Sequence, residues 1–500
     1  MKYKIRRFSV KKLNLISKRK EVWCFGCGKK FNDILDIYSK ELFVERITTL
    51  IDSNDSIQGK EIFINEKKII IESPYQAFNK EAEEVILLIT SDHYKDIYEN
   101  IKDNLFEKRI ICSIYPLFFY SYSKLLMKAM SFFPLKKQMV FCAGEEPHEN
   151  ALAIIKFLNE TNNREWKIIV LDDSKDNKRK KQKYENIKVE ILNKNILKVR
   201  NSFLENIKYC YFVATSKYLF YENEPLIKVR KEQKLIYLNH GVLPLKNVSD
   251  VLKQPDDVDY GLCPSINCSE IYKKQYSIDK QKQLYIISPR INFLKEYKLG
   301  KIINFKEKQV IIWLPTFRRL KASKRNDSTS LNIISFFSRE EIINQIDKVL
   351  EKNRQILLIK LHPREKGELH MPQGCKNILL IEDELLKREN VILQEILRET
   401  SALITDYSSI AFEYLLLNKP IAYVVNDMED YTRGFSVSNP LEYMAGKKII
   451  TLKDLITFLN DVSFNIDDYI EERNLIIEKI YHGNQFQNGA KLLIEKLEKM

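Results

Sequence analysis

Four apolar segments of this chain end in polar residues whose types suit the binding of a multiply charged anion. Ala402-Leu403-Ile404-Thr405 reads as a buried strand, Asp406-Tyr407-Ser408-Ser409 as a hydroxyl-rich turn, and Ile410-Ala411-Phe412-Glu413-Tyr414 as the start of a helix. A helix start offers unpaired N–H groups and the positive end of the dipole, so Ser408 and Ser409 are candidates to hold a diphosphate. Glu413 follows Ser409 by four residues and is expected to face the same cleft, where its carboxylate would accept bonds from sugar or polyol hydroxyls. The plainer reading is that Asp406 and Ser408 only cap the helix. Three other segments bear on the choice. Ile236-Tyr237-Leu238-Asn239-His240-Gly241 ends in His-Gly, Val310-Ile311-Ile312-Trp313-Leu314-Pro315-Thr316-Phe317-Arg318 ends in an arginine turn, and Ile356-Leu357-Leu358-Ile359-Lys360-Leu361-His362-Pro363 ends in Lys-x-His-Pro. Ligands of open α/β sheets bind beyond the carboxyl ends of the strands, so these four ends together describe one polyanion pocket.

The elements that must position these residues fall into three α/β units. Residues 1–125 carry strand runs at 23–27, 48–52, 69–71 and 85–90, the pattern of a small Rossmann-like domain. Its Gly26-Cys27-Gly28 turn lacks the third glycine of a dinucleotide fingerprint, so a docking or regulatory module is the preferred reading over a nucleotide site. Residues 126–295 carry strand runs at 139–142, 167–171, 209–214, 236–239 and 284–287. Residues 296–500 carry the strands that end at Arg318, at Lys360 and His362, and at Ser408. The expected fold is therefore α/β, a GT-B-like pair of Rossmann-like domains facing a cleft, preceded by the small N-terminal domain. The last helix, around Ala490 to Leu497, is a candidate to pack back across the halves.

Composition fits a large intracellular enzyme. With 500 residues at 44% hydrophobic content, the chain can bury several cores. The eight cysteines are scattered; Cys24-x-x-Cys27 is the one close pair, with no second pair nearby to complete a metal site, and reduced structural thiols are expected. The lysine-rich N-terminus has no secretory character, and no stretch reads as a spanning helix. The segment 114–134 interleaves aromatic residues with Lys124 and Lys128, which suits either the membrane interface or a core helix with a solvated lysine edge. The net charge of +14 attracts polyanions, but no nucleic-acid-binding signature accompanies it. Asp257-Val258-Asp259 and Asp172-Asp173 are weak signals for a metal, and a cationic pocket needs no divalent ion to neutralise a diphosphate.

The motifs together resemble the CDP-glycerol glycerophosphotransferase family, enzymes of teichoic-acid and capsular-polymer synthesis, over about residues 135 to 495. The resemblance rests on His240-Gly241 with Pro244-Leu245-Lys246, Pro315-Thr316-Phe317-Arg318, Lys360-Leu361-His362-Pro363, and Thr405-Asp406-Tyr407-Ser408-Ser409 with Phe412-Glu413-Tyr414. Asn418-Lys419-Pro420, Asp427, Tyr431 and Arg433-Gly434-Phe435 continue it. Two residues, Val242 and Leu243, stand where the family usually has one before Pro-Leu-Lys. The usual Gly-x-Pro-Arg-Asn-Asp turn becomes Ile287-Ser288-Pro289-Arg290-Ile291-Asn292, and Glu413 replaces a common aspartate. These departures bear on acceptor and polyol more than on fold.

The resemblance implies transfer of glycerol phosphate or a related polyol phosphate from a CDP-activated donor, CDP-glycerol or CDP-ribitol, to a lipid-linked glycan or polyol-phosphate acceptor. No cofactor or metal is expected, and the enzyme is expected in the cytoplasm, peripheral on the inner face of the membrane. Such transfer needs a base for the attacking hydroxyl and donors around the diphosphate. His240 is the candidate base, since among the six histidines it ends a strand in the half expected to hold the acceptor. His362 is the second candidate catalytic residue, a donor to the leaving phosphate; Arg318 and Lys360 would neutralise charge. Gly241, Lys246, Thr405, Ser408, Ser409 and Glu413 complete the expected substrate-binding set. Two rival readings are a CMP-sialic-acid-type GT-B glycosyltransferase and a non-catalytic membrane-associated scaffold that binds nucleotide or polymer.

Overall fold

Runs of Val, Ile, Leu and aromatic residues that are apolar at successive positions, rather than at alternate ones, form strands buried on both faces, and these strands pair almost wholly in parallel. The structure is a computed structural model and describes residues 4–5, 10–80, 84–90, 97–102, 111–116, 126–143, 149–162, 165–172, 188–193, 203–239, 241–249, 252–295, 307–316, 339–362, 372 and 374–500. Two compact units result, Met1–Ala129 with Asn195–Cys210, and Met130–Lys194 with Tyr211–Met500.

The first unit holds a sheet of β1 (Lys4–Ile5), β2 (Glu21–Phe25), β3 (Ile47–Ile51), β4 (Glu61–Ile64), β5 (Lys67–Glu72), β6 (Glu84–Ile89) and β7 (Ile111–Pro116), ordered β1-β7-β6-β2-β3-β5-β4. The run β5, β3, β2, β6, β7 is the Rossmann order, with the chain reversing direction across the sheet at β2. After β2, Gly26 takes φ +96°, and the Asp52 carboxylate accepts from Cys27 N at 2.7 Å and Asn54 N at 2.8 Å. The Asp52 carboxylate thus closes the turn after β2. Burial pushes the Cys27 thiol up to about 12 and raises Cys24 as well, so both are protonated, inert thiols.

The second unit contains the two sheets that present the strand ends. One comprises β8 (Lys136–Ala143), β9 (Lys167–Asp172), β10 (Glu190–Asn193), β11 (Ser216–Tyr221), β12 (Lys234–Tyr237), β13 (Tyr260–Cys263) and β14 (Gln283–Tyr285), ordered β10-β9-β8-β11-β12-β13-β14. The other comprises β15 (Gln309–Leu314), β16 (Gln355–Ile359), β17 (Ile378–Leu380), β18 (Ala402–Thr405), β19 (Ile421–Val424) and β20 (Lys447–Ile449), ordered β17-β16-β15-β18-β19-β20. Both are doubly wound, and in the second sheet the reversal lies between β15 and β18, which carry two of the polar ends.

One expected strand is corrected. The run 209–214 belongs to the helix Phe203–Thr215, and the strand begins at Ser216. Thr215 and Ser216 hydroxyls donate to Tyr211 O and Phe212 O, four residues back, which ties off the helix end where the strand starts.

The final helix, Gly489–Glu498, returns to the first sheet of this unit. Ala490, Leu493, Ile494 and Leu497 join the core of Met139, Ile154, Trp166 and Tyr218, and Tyr218 OH donates to Leu497 O. A β-carbon at Gly489 would overlap Ile287 O, so only glycine permits this approach. Asn488 caps the helix by accepting from Lys491 N. Burying the three large apolar side chains is worth roughly 5–9 kcal/mol gross. The helix before it, Ile470–Tyr481, binds both halves: Tyr481 OH donates to Phe412 O at 2.7 Å, and Ile480 O accepts from Ser265 Oγ at 2.6 Å.

Candidate active site

Strand β12 leads into the first polar end through a residue held in the left-handed region, Asn239 with φ +72°. Asparagine tolerates that conformation, and its side chain bonds to the hydroxyl of buried Tyr272 while accepting from Gly241 N at 3.4 Å. Tyr272 OH also donates to Val242 O. The two neighbours of His240 are therefore fixed from beneath; His240 itself lies outside the described residues, as does Arg318.

Beyond Gly241, Val242 and Leu243 are fully buried, so the extra residue relative to the family pattern is absorbed into packing. The loop then meets the segment around Gly434. Lys246 bridges Phe435 in antiparallel fashion, Asn247 N donates to Gly434 O at 3.0 Å, and Ser436 N donates to Leu245 O at 2.9 Å. Arg433 Nε donates to Asn247 O at 2.6 Å. Lys246 is thus placed in a backbone joint between the two halves.

The opposite wall is built at the reversal of the second sheet. Asp406 is buried and accepts from Thr316 N and Thr316 Oγ1, the latter at 2.9 Å, which locks the β15 and β18 ends together. Thr405 is buried too, and its hydroxyl donates to Leu314 O at 2.6 Å, which makes it part of the same lock rather than a group open to substrate. Tyr407 donates to Asp427 at 2.7 Å and packs its ring on Tyr431 and Phe435, so the later motif residues brace the turn.

Ser408 and Ser409 stay half-buried at the start of the helix Ile410–Tyr414, and the Ser409 side chain makes no capping bond. A β-carbon on Gly241 would overlap Ser409 Oγ and stand 2.9 Å from Ser409 Cβ. The His-Gly end and the Ser-Ser turn therefore touch. Lys360 is also half-buried and pairs with Asp383 at 2.7 Å; His362 is half-buried, two residues further along the same segment.

Glu413 departs from expectation. Its side chain is fully buried; Arg290 donates to Oε1 through Nε at 3.0 Å and through Nη2, and Gln394 Nε2 donates to Oε2 at 3.0 Å. Both oxygens are occupied within the protein, so Glu413 is a structural carboxylate rather than a polyol-facing one. The (i, i+4) spacing from Ser409 fixed its direction along the helix but not which side the core covers. Arg290 also reaches Glu149 at 3.4 Å, and behind it lies Glu222, whose carboxyl is pushed up to about 8 by burial and by Glu149, against the opposing bond from Ala151 N. Sequence reasoning assigned Arg290 no role, although Ser288-Pro289-Arg290 stood in a motif; nothing in the sequence marked Asn150 or Glu222.

Two doubly wound sheets whose strand ends meet at Gly241 and Ser409, with the last helix crossing back, constitute a GT-B fold. Residues 126–492 match the CDP-glycerol:poly(glycerophosphate) glycerophosphotransferase family, and the chain belongs to it. It is 25% identical over 308 residues to the teichoic acid poly(ribitol-phosphate) polymerase of Bacillus spizizenii, covering 57% of this chain and 47% of that protein. To the teichoic acid glycerol-phosphate primase of Bacillus subtilis it is 27% identical over 274 residues, covering 50% and 66%. The chain thus spans between about half and two thirds of these curated relatives. Among solved structures, the wall teichoic acid polymerase TagF shares the fold, with a TM-score of 0.55 at 15% identity over 82% of this chain and 97% of that one.

Proposed function

We propose that this chain transfers a polyol phosphate, glycerol phosphate or ribitol phosphate, from a CDP-activated donor to a polyol-phosphate or lipid-linked glycan acceptor, releasing CMP. The observation that supports the reading is the contact of Gly241 with Ser409, which brings the residue after His240 against the Ser408–Ser409 turn.

In the reaction, His240 takes the proton of the acceptor hydroxyl as its oxygen attacks the phosphorus attached to the polyol. The new O–P bond forms while the bridging P–O bond to CMP breaks, and CMP leaves with that electron pair. Arg318 and Lys360 balance the diphosphate charge, Ser408 and Ser409 donate to its oxygens, and His362 donates to the departing phosphate. Lys360 would exchange its bond to Asp383 for the phosphate. Gly241 serves by lacking a side chain, and Lys246 by fixing the loop at the joint with Phe435. The cationic groups at the strand ends supply the charge a metal would otherwise bring. We place the enzyme at the cytoplasmic membrane surface because its proposed acceptor is membrane-associated; no helix among the described residues is long and apolar enough to cross a membrane.

The test is CMP release from CDP-glycerol, CDP-ribitol and CMP-sialic acid in parallel, each with and without a polyol-phosphate acceptor. Acceptor-dependent release from one CDP-polyol supports the proposal and names the polyol. Release from CMP-sialic acid alone, or binding without turnover of any donor, overturns it in favour of a glycosyltransferase or a scaffold.

A further inference from the structure

We propose that Arg290 is a positioning residue, holding the strand end at Leu238 and Asn239 in register with the helix Ile410–Tyr414 from one buried point between the two halves. One arm runs through Asn150. Its Oδ1 accepts from Arg290 N at 3.1 Å and from Ser288 Oγ at 2.6 Å, and its Nδ2 is shared among Leu238 O at 3.3 Å, Asn239 O at 3.2 Å and Glu222 Oε2 at 3.3 Å. The other arm is the guanidinium itself, whose Nε and Nη2 both donate to Glu413 Oε1.

The two arms end next to the chemistry. Asn239 directly precedes His240 and Gly241, and Glu413 sits one helical turn beyond Ser409. Beyond the far ends of the arms Gly241 meets Ser409 directly, so Arg290 provides a second link between the same two segments. Asn150, Glu222, Ser288, Arg290, Gln394 and Glu413 are all buried, and a hydrogen-bonded network sealed from water has one arrangement rather than many. A buried ion pair is a poor device for stability alone, because an apolar pair of similar volume does as well. What the planar guanidinium adds is direction, and Pro289 stiffens the backbone that aims it.

The kinetic arm of the test rests on the polyol-phosphate reading; the exchange arm does not. Wild type is compared with Arg290→Met, Arg290→Lys and the double variant Arg290→Met/Glu413→Gln by hydrogen exchange, thermal melting and acceptor-dependent CMP release. In Arg290→Met the backbone bond to Asn150 remains but the 288–290 turn that makes it loses its anchor on Glu413, so residues 238–245 and 408–414 are expected to exchange about tenfold faster together, with β9 and β16 unchanged, and kcat to fall about 10- to 100-fold while donor KM stays within about threefold. The double variant is expected to regain melting temperature but not kcat. Exchange that rises at one segment only or at neither, or kcat restored by the double variant, would overturn the proposal. Should Arg290→Met fail to fold, Arg290→Lys decides. It keeps the charge and loses the fork, so wild-type exchange and kcat in that variant would overturn the proposal, while faster exchange at both segments supports it. If wild type turns over neither CDP-glycerol nor CDP-ribitol, the functional reading fails and the exchange result alone judges Arg290.

Discussion

Adding one methyl group at Gly241 tests whether the two halves work at the separation seen in the structure. The φ of Gly241 lies outside the left-handed region, so alanine meets no backbone strain and the effect of Gly241→Ala is purely steric. The new carbon overlaps Ser409 Oγ, which a χ1 change can move aside, and stands 2.9 Å from Ser409 Cβ, which it cannot. Carbon atoms at van der Waals contact lie about 3.5–4.0 Å apart, so the His-Gly end and the Ser-Ser turn must separate by roughly 0.6–1 Å. Overpacking of that kind costs about 1–3 kcal/mol, and misplacing reacting groups by about 1 Å costs up to about 100-fold in rate. Acceptor-dependent CMP release by Gly241→Ala is therefore expected at about one tenth to one hundredth of the wild-type kcat, with folding intact by far-ultraviolet circular dichroism. Adding Ser409→Gly removes the opposing atoms and is expected to restore melting temperature while raising donor KM, since a phosphate donor is lost. Wild-type kcat in Gly241→Ala would refute the reasoning, because the reaction would then proceed with the halves further apart.

Other expectations follow from the surrounding structure. Glu222 carries a folded-state pKa of about 8 against an ordinary 4.5, so between those values the folded chain keeps a proton that the unfolded chain releases, and stability falls as pH rises through that window by on the order of a few kcal/mol. Glu222→Gln is expected to flatten this slope in calorimetric melts from pH 5 to 9, and an unchanged slope would contradict the assignment. Leu493→Ala empties a buried site beneath the last helix and is expected to cost about 2–5 kcal/mol in urea unfolding, with early proteolysis near residues 489–498; no loss would mean that the helix does not hold the fold closed. Chelation by EDTA is expected to leave CMP release within about twofold, and an abolished rate restored by magnesium would show that the cationic strand ends do not suffice.

How much the sequence revealed differs by element. Strands β15, β16 and β18 were legible because each is a short apolar run buried on both faces and ending in a polar residue. The run 209–214 met the same description and is helical, since aromatic and β-branched residues packed inside a core satisfy either periodicity. Strand β4 escaped notice because its hairpin to β5 turns on Asn65-Glu66, both with positive φ, without the glycine that usually marks such a turn. At the site, Ser408, Ser409 and the His240-Gly241 end could be read from local order. Glu413 and Asp406 could not, because what decides their roles is a partner far along the chain, Arg290 for one and Thr316 for the other. Spacing along a helix tells which residues share a face; only the packed structure tells what that face meets.

The most direct test of the central claim follows the phosphorus. With a radioactive label on the phosphorus attached to the polyol of CDP-glycerol or CDP-ribitol, the wild-type enzyme is expected to move the label into the acceptor and release unlabelled CMP, and His240→Ala to slow that transfer by about 100- to 10,000-fold. Label that stays with the nucleotide while the polyol moves, or transfer undiminished in His240→Ala, would contradict the account.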